Sequence, residues 1–341
     1  SKAMGVETPA SAEAANPACV QSFTYPFIIE HRPGENHTIA KPEGYERIRD
    51  HQPFVTSFNY PVEYGWRGRF EYKMFGDDPP IPNNQSPGPM FSWRRVFHGA
   101  AYAGRHNDLA LMNWPRQDYH DESVLDRTPA DTARVLQNAK KVSMAFLYWL
   151  QSDMKTPGFQ LRVDQMGSAD GLSQLPYIRE SRRLLAQGMV REQDIVHENS
   201  PRARAVLFPD TVGTGFYMVD IHPCGANERG RMMMPKPFQI PMAALLPKDL
   251  QNFLPASKNI GVTHITNGAY RLHPIEWNIG ESAAVIASLQ LRQGARPEAA
   301  TVQMELARSG VQIYWFDDLP ETHPGFAAIQ VAATNGWYPA R

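Results

Sequence analysis

The chain has 341 residues, more than one hydrophobic core usually organises, so its length favours two domains or one core with a large accessory lobe. Its 34 lysines and arginines nearly balance 35 aspartates and glutamates. The formal net charge of -1 gives no overall field that would draw the chain to nucleic acid or to an anionic membrane. Hydrophobic residues make up 42% and charged residues 20% of the chain, which excludes a disordered polyelectrolyte. The composition therefore predicts a globular protein.

The cysteines and the hydropathy pattern bear on the kinds of site and compartment. The two cysteines, Cys19 and Cys224, are too few for a disulfide framework and too far apart in sequence for a metal pair, so we expect both thiols to be free. No stretch approaches the roughly 18 apolar residues of a membrane helix. We therefore expect a soluble chain without membrane insertion and without a metal site.

The first half of the sequence predicts an irregular region followed by a domain. Residues 1–90 are interrupted by prolines and turn residues and predict loops and brief strands that wrap over another part of the molecule. Residues 91–250 are predicted to form a domain that begins with two strands in the stretches FSWRRVFHGAAY and DLALMNWP. A helix follows, with Thr128 as its N-cap and Pro129 as its first residue.

The second half predicts shorter elements and a second helical region. Strands are expected in PYIRESRRL, GFYMVDIHP and PFQIPMAAL, which favours a mixed or antiparallel sheet. Residues 251–296 are expected to contain a strand with loops and then an apolar helix that ends at Gly294 and Pro297. Residues 297–341 predict a helix, a strand and a second helix. The fold class predicted is α/β with α+β character.

Gly280 and the small residues after it form the most informative local pattern. A helix that opens with small residues lets a ligand approach the N–H groups of its first turn, where the positive end of the helix dipole favours a phosphate or an anionic ring edge. The same pattern is also typical of a helix packed closely on a strand. The pattern alone leaves both alternatives open.

A family resemblance favours the first alternative. The segments PYIRESRRLL, FPDTVGTGFYMVDIHP, PFQIPMAALLPKDLQNFLPASKNIGVTH and YRLHPIEWNIGESAA resemble, in order and spacing, the FAD-dependent oxidoreductases with a glutathione-reductase-type FAD fold, a group sometimes labelled xanthan lyase. The likeness extends to QSFTYPFIIEHRPGENHTI, MNWPRQDY and YWFDDLPETHPGFAAIQ, so it covers nearly the whole chain.

The resemblance implies a substrate or cap domain in residues 91–250 and the C-terminal part of the FAD-binding domain in residues 251–296. It also implies FAD as the cofactor and a helix that begins near Ile279 and faces the flavin. The residues that it places at the cofactor are Arg271, Asn278, Ile279, Gly280, Glu281 and Ser282. Two positions depart from the family pattern: Leu254 to Lys258 replace a Val-Ala-Gly-Arg-like strand, and Ala284 stands where the family often has glycine.

One element of the family is missing from the sequence. Such flavoproteins hold the ADP half of FAD with a strand, a GxGxxG turn and a helix, and no stretch of this chain has that pattern. The resemblance therefore implies a C-terminal portion of the enzyme, and a second polypeptide that carries the GxGxxG segment is the expected partner.

Two histidines are candidates for the catalytic base. His273 precedes Pro274 in the stretch that leads into the flavin-facing helix. His222 shares one face of a predicted strand with Asp220, and we expect that carboxylate to tune the imidazole. Structural roles are the alternative for both.

The expected substrate-binding residues lie in two stretches: Arg179 and Glu180, and Asn113 and Tyr119. The function predicted is the transfer of a hydride to FAD from a small organic substrate with a CH–OH or CH–NH group. The alternatives are a carbohydrate-binding or lyase-type protein without flavin and a non-catalytic subunit that stabilises a Rossmann partner.

Overall fold

The computed structural model describes residues 19–60, 68–71, 74–75, 89–103, 106–196, 204–224 and 231–337. The chain divides into two compact units. Unit 1 combines Ser1–Val20, Arg179–Ile221 and Gly230–Arg341, and unit 2 combines Gln21–Ile178 and His222–Arg229. The four predicted segments, 1–90, 91–250, 251–296 and 297–341, stay a prediction.

Unit 2 contains six strands and four helices in its described residues. In chain order the elements are β1 (Phe27–His31), α1 (Tyr45–His51), β2 (Ser57–Tyr60), β3 (Gly68–Glu71), α2 (Met90–Trp93), β4 (Arg95–Phe97), β5 (Leu109–Met112), α3 (Pro129–Ser152), β6 (Phe159–Leu161) and α4 (Val163–Met166). Four of the strands form an antiparallel sheet with the order β4-β5-β1-β6, and β2 and β3 form a separate antiparallel pair. The sequence predicts only brief strands wrapped over a core before residue 90, whereas β1 lies inside the sheet between β5 and β6.

Helix α3 covers the core of unit 2 and begins where the sequence predicts. The Thr128 side chain accepts a hydrogen bond from the Asp131 backbone N–H at 3.2 Å, and Pro129 occupies the first turn. Its buried side chains recur at helical spacing and belong to the same hydrophobic cluster as Phe27 and Ile29 of β1. The amphipathic pattern of α3 therefore follows from its packing against the sheet.

Unit 1 contains short antiparallel strands and longer helices. Its elements are α5 (Glu192–Ile195), β7 (Thr211–Gly215), β8 (Val219–Ile221), β9 (Arg231–Met233), β10 (Phe238–Pro241), α6 (His264–Tyr270), α7 (His273–Gln293), α8 (Ala299–Arg308) and α9 (Phe326–Thr334). Strand β10 pairs with β7, and β8 pairs with β9, both antiparallel. With small antiparallel sheets and separate helices, the chain has the α+β character that the sequence predicts.

Helix α7 starts earlier than expected. It begins at His273 with Pro274 in its first turn, so Ile279 to Ser282 lie inside the helix and not at its entry. The extended residue at the entry is Leu272, with φ -76° and ψ 141°. The end of the helix is as predicted, because Gly294 adopts the left-handed conformation with φ 70° that closes a helix.

Several other expectations are wrong. Residues 176–184 and 311–316 contain no strand, and the predicted strand-and-loop stretch before α7 contains the short helix α6 and no strand. Cys19 and Cys224 are both disulfide-bonded and not free thiols.

None of the helices in the described ranges has the length and apolar character needed to cross a membrane.

Candidate active-site residues

A polar face in unit 2 is formed by two short segments, 22–24 and 118–120. Phe23 and Tyr119 are antiparallel bridge partners, and the Tyr119 N–H donates to the Phe23 carbonyl at 2.8 Å. Their rings contact each other edge to face, with centroids 5.7 Å apart. Since side chains alternate along extended segments, the neighbours of these two aromatic residues share the opposite face. These neighbours are Ser22, Thr24, Asp118 and His120.

Asp118 is the centre of this face and is fully buried. Its carboxylate accepts hydrogen bonds from the hydroxyls of Ser22, at 3.2 Å, and Thr24. Its backbone carbonyl accepts from the Gln52 side-chain amide at 2.6 Å. A buried carboxylate needs such donors, because leaving its oxygens without them would be strongly destabilising. The backbone and the side chain of Asp118 are therefore both held in place.

The Asp118 carboxylate contacts His222, one of the two histidines predicted to act as the catalytic base. The imidazole Nδ1 lies 2.5 Å from Asp118 Oδ2, and the ring is 8% exposed. The His222 backbone N–H donates to Gln21 Oε1 at 3.1 Å, and the next carbonyl, of Pro223, accepts from the Ser22 N–H at 3.1 Å. The sequence pattern places Asp220 beside this imidazole, and the structure shows its contact with the Asp118 carboxylate.

His120 is a second buried imidazole next to the pair. Burial lowers the pKa of His120 below its ordinary value of 6.5, and the nearby Asp118 carboxylate opposes that effect. Its Nδ1 is buried and has no hydrogen-bond partner in the part of the chain that the structure describes. The sequence analysis missed His120, Ser22 and Thr24. The signal that could have found them is the alternation Ser-Phe-Thr and Asp-Tyr-His in two extended segments.

The two predicted substrate residues of unit 2 differ in accessibility. Asn113 is partly exposed and directly follows β5. Tyr119 is buried, and its hydroxyl donates to Glu122 Oε1 at 3.1 Å. Burial and the Glu122 carboxylate raise the pKa of Tyr119 to about 12. Tyr119 therefore serves the packing of unit 2, and its role toward a substrate stays a prediction.

The other predicted substrate residues, Arg179 and Glu180, are both buried in unit 1. Nδ1 of His264, the first residue of α6, lies 2.8 Å from both carboxylate oxygens of Glu180. The Arg183 guanidinium also donates to the Glu180 carboxylate. Glu180 is thus part of an internal polar cluster in which its carboxylate contacts a histidine and an arginine.

Arg271 and Asp220 form a second internal pair in unit 1. Arg271 directly follows α6, is 5% exposed, and donates through Nη2 to the Asp220 carbonyl at 2.8 Å and to its carboxylate at 2.9 Å. The pair ties α6 to β8. Asp220, expected beside His222, therefore serves Arg271 instead.

Helix α7 packs on β7 through two of the predicted cofactor residues. Asn278 Oδ1 accepts from the Thr214 N–H at 3.0 Å, and the Ser282 hydroxyl donates to the Val212 carbonyl at 2.7 Å. A Cβ on Gly213 would lie 1.9 Å from Asn278 Oδ1, so only glycine allows this approach. The GTG string of β7 is therefore a packing feature. The structure favours the close-packing alternative for these residues of α7.

The remaining predicted residues of α7 are arranged around the helix. Ile279 is fully buried, whereas Glu281 and His273 are exposed. Gly280 faces Ala256, whose carbonyl oxygen would lie 3.3 Å from a Cβ at position 280. His273 belongs to unit 1, and His222 belongs to unit 2.

A family model described as FAD dependent oxidoreductase matches residues 31–309, which is most of the chain. The chain belongs to this family. The oxidoreductase accordingly uses FAD as its cofactor. The comparison with curated proteins and the comparison with solved structures gave no match.

The residues predicted to hold FAD fit the cofactor only in part. Arg271, Asn278 and Ser282 already have partners inside unit 1 of the oxidoreductase, and the amides of Ile279 to Ser282 are used in the hydrogen bonds of α7. Glu281 has an exposed side chain. Gly280 has no side chain, and a Cβ there would meet only the Ala256 carbonyl within 4 Å. These two positions fit a neighbouring cofactor best.

Proposed function

We propose that the chain is the substrate-handling part of an FAD-dependent oxidoreductase that acts on a small organic molecule with a CH–OH or CH–NH group. FAD, when bound, supplies the hydride acceptor for this chemistry. The residues of the chain then have to orient the substrate and accept the proton that leaves its O–H or N–H group. The family membership supports the redox class, and the substrate class is our inference from the proton-handling residues of unit 2.

The buried pair of His222 and Asp118 carries the proposal. An imidazole that donates through Nδ1 to a carboxylate can accept a proton at Nε2, and the carboxylate then stabilises the imidazolium that forms. His120 adds a buried Nδ1 without a partner in the described residues. Such a nitrogen can hydrogen-bond to the polar group of a substrate, which would remove the cost of leaving it unpaired.

We further propose that the GxGxxG segment and the strand and helix around it, as in the glutathione-reductase-type fold, are supplied by a polypeptide outside these 341 residues. Gly280 and Glu281 would then lie next to the cofactor. His273, exposed at the start of α7, is the second candidate base, and Asn113 and Arg179 remain proposed substrate contacts.

The visible absorption spectrum tests the cofactor. A purified preparation, alone or with the GxGxxG-bearing polypeptide, is expected to absorb near ~450 nm, as oxidised flavin does. Native mass spectrometry of the intact material reports FAD and any partner chain together. A preparation that binds no flavin in either form would favour a carbohydrate-binding, lyase-type or purely stabilising protein and would overturn the proposal.

Stopped-flow reduction of the bound flavin tests the base. With saturating alcohol or amine substrate, His222→Ala is expected to keep its FAD and to lower the reduction rate by ~10²–10⁴-fold, the usual contribution of a general base. His273→Ala is measured alongside, and His51→Ala serves as the control because His51 is an exposed histidine of the same unit, bound to Asp121 at the surface. A His222→Ala protein reduced as fast as the parent would remove His222 from the mechanism.

A further inference from the structure

The contacts of Asp118 decide which nitrogen of His222 can take part in proton transfer. An ionised carboxylate only accepts hydrogen bonds. The 2.5 Å contact between Asp118 Oδ2 and His222 Nδ1 therefore requires the hydrogen on Nδ1. In the neutral imidazole the other nitrogen, Nε2, then carries the lone pair.

Asp118 cannot easily turn away from His222, because other groups hold it. Thr24 donates to Oδ1, Ser22 donates to Oδ2, and Gln52 fixes the backbone carbonyl of the same residue. Thr24 lies on an extended segment that is also hydrogen-bonded to Tyr177, with the Tyr177 N–H donating to the Thr24 carbonyl at 2.7 Å. The carboxylate is therefore held by the side chains of Ser22 and Thr24, and the segment that carries Thr24 is held in turn by the Tyr177 backbone.

The backbone of His222 is held to the same segment. Gln21 and Ser22 bind the backbone on either side of the imidazole, and Cys224, two residues further on, is disulfide-bonded. The backbone that carries the imidazole and the Asp118 carboxylate are thus both held in place by the segment 21–24. A surface histidine would not need such an arrangement.

We propose that Asp118 is a positioning residue that holds His222 in the Nδ1–H tautomer, so that Nε2 is the nitrogen that accepts the proton of the substrate. The proton leaves the O–H or N–H bond, the bonding pair stays on the oxygen or nitrogen, and the imidazolium formed has both nitrogens protonated beside the Asp118 carboxylate. This role rests on the proposed function of His222. Ser22 and Thr24 act one step further out, because they orient the carboxylate.

The tautomer can be measured without any substrate. In ¹⁵N-labelled protein, long-range ¹H–¹⁵N correlation spectra distinguish a protonated from a bare imidazole nitrogen, and the His222 signals are assigned as those that disappear in His222→Gln. At a pH where the ring is neutral, we expect a protonated Nδ1 and a bare Nε2. A bare Nδ1 with a protonated Nε2 would overturn the proposal.

Variants separate positioning from a general structural effect. In Asp118→Asn the neutral amide no longer imposes the Nδ1–H form, and we expect the His222 signals to shift toward the Nε2–H tautomer. Asp220→Asn removes the carboxylate that the sequence pattern places beside His222, and we expect it to leave the tautomer unchanged. Ser22→Ala, which keeps the carboxylate, covers the case in which Asp118→Asn does not fold, and it is also expected to retain Nδ1–H. A tautomer that follows Asp220 and ignores Asp118 would contradict the assignment.

The two proposals fail in different ways. If His222→Ala reduces flavin at the parental rate, the proposed function of His222 fails whatever the tautomer is. If His222→Ala is slow while the parent has the Nε2–H tautomer, His222 remains the base and the role of Asp118 is refuted.

Discussion

Replacing Gly213 by alanine tests the contact between β7 and α7 that determines the role of Asn278. The added Cβ would lie 1.9 Å from Oδ1 and 2.6 Å from Cγ of Asn278, and 3.0 Å from Cδ1 of Ile240. Real Cβ atoms do not approach other atoms so closely, so the Asn278 amide has to move. Its hydrogen bond from the Thr214 N–H is then broken.

The expected loss of stability has two parts. The Thr214 N–H is partly buried, and leaving such a donor without its acceptor costs up to about 1–3 kcal/mol. Inserting a methyl group into a closely packed contact costs about 1–3 kcal/mol through displaced side chains. We therefore expect Gly213→Ala to lower the free energy of unfolding of unit 1 by about 2–6 kcal/mol.

The matched variant is Asn278→Ala, which removes the obstructing amide. Alone it loses the hydrogen bond to Thr214, and together with Gly213→Ala it leaves space for the new methyl group. The two changes should therefore be non-additive, with the double variant less destabilised than the sum of the single ones by about 0.5–3 kcal/mol, as for contacting residues.

Urea unfolding gives the four stabilities of this cycle, and amide hydrogen exchange at Thr214 reports the contact locally. Exchange at Thr214 should become faster in either single variant. Stabilities that add within about 0.5 kcal/mol would mean that positions 213 and 278 are not in contact and would refute the packing of α7 on β7. A Gly213→Ala protein with parental stability would do the same.

Three further predictions concern other parts of the chain. Gly280→Ala should change the free energy of unfolding by no more than about 1 kcal/mol, since the gain in helix propensity offsets the tight contact with Ala256. A lower flavin content in this stable variant, measured by absorbance, would place the cofactor beside Gly280. Thiol titration of the denatured, unreduced protein should detect neither Cys19 nor Cys224, and any free thiol found there would contradict the disulfide assignment. Reduction should lower the free energy of unfolding by about 2–5 kcal/mol. Because burial lowers the pKa of His120, the unfolded chain binds this proton at higher pH than the folded chain, and stability should fall as the pH drops below about 6.5. In thermal unfolding measured from pH 7 to 5, His120→Gln should weaken this pH dependence, and a pH profile identical to that of the parent would refute the prediction.

Local signals in the sequence predicted the long elements well. Thr128 and Pro129 at the start of α3, its apolar spacing, and Gly294 at the end of α7 are decided by neighbours within one or two turns, and the structure has them as expected. The start of α7 was predicted too late. Small residues at Gly280 suggested a helix entry, whereas the extended Leu272 and the proline after His273 mark the real one.

The site residues show where local reasoning ends. The period of two in a strand placed Asp220 beside His222, but the partner of His222, Asp118, lies 104 residues away in the sequence. Likewise the family resemblance places Asn278 and Ser282 at the cofactor, and in the structure both also bind the backbone of β7. Hydrogen-bond partners of this kind cannot be read from spacing.

By itself the sequence determined the class of protein, the α+β character, the course of its longest helices and the family to which its motifs belong. These depend on composition, on hydrophobic period and on capping residues, all of which act over a few residues. Only the tertiary structure decided that β1 lies inside a sheet, that Cys19 and Cys224 are disulfide-bonded, and that Asp118 holds His222. Each of these joins segments far apart in the chain, and such pairings are selected by the burial and hydrogen bonding of the whole fold.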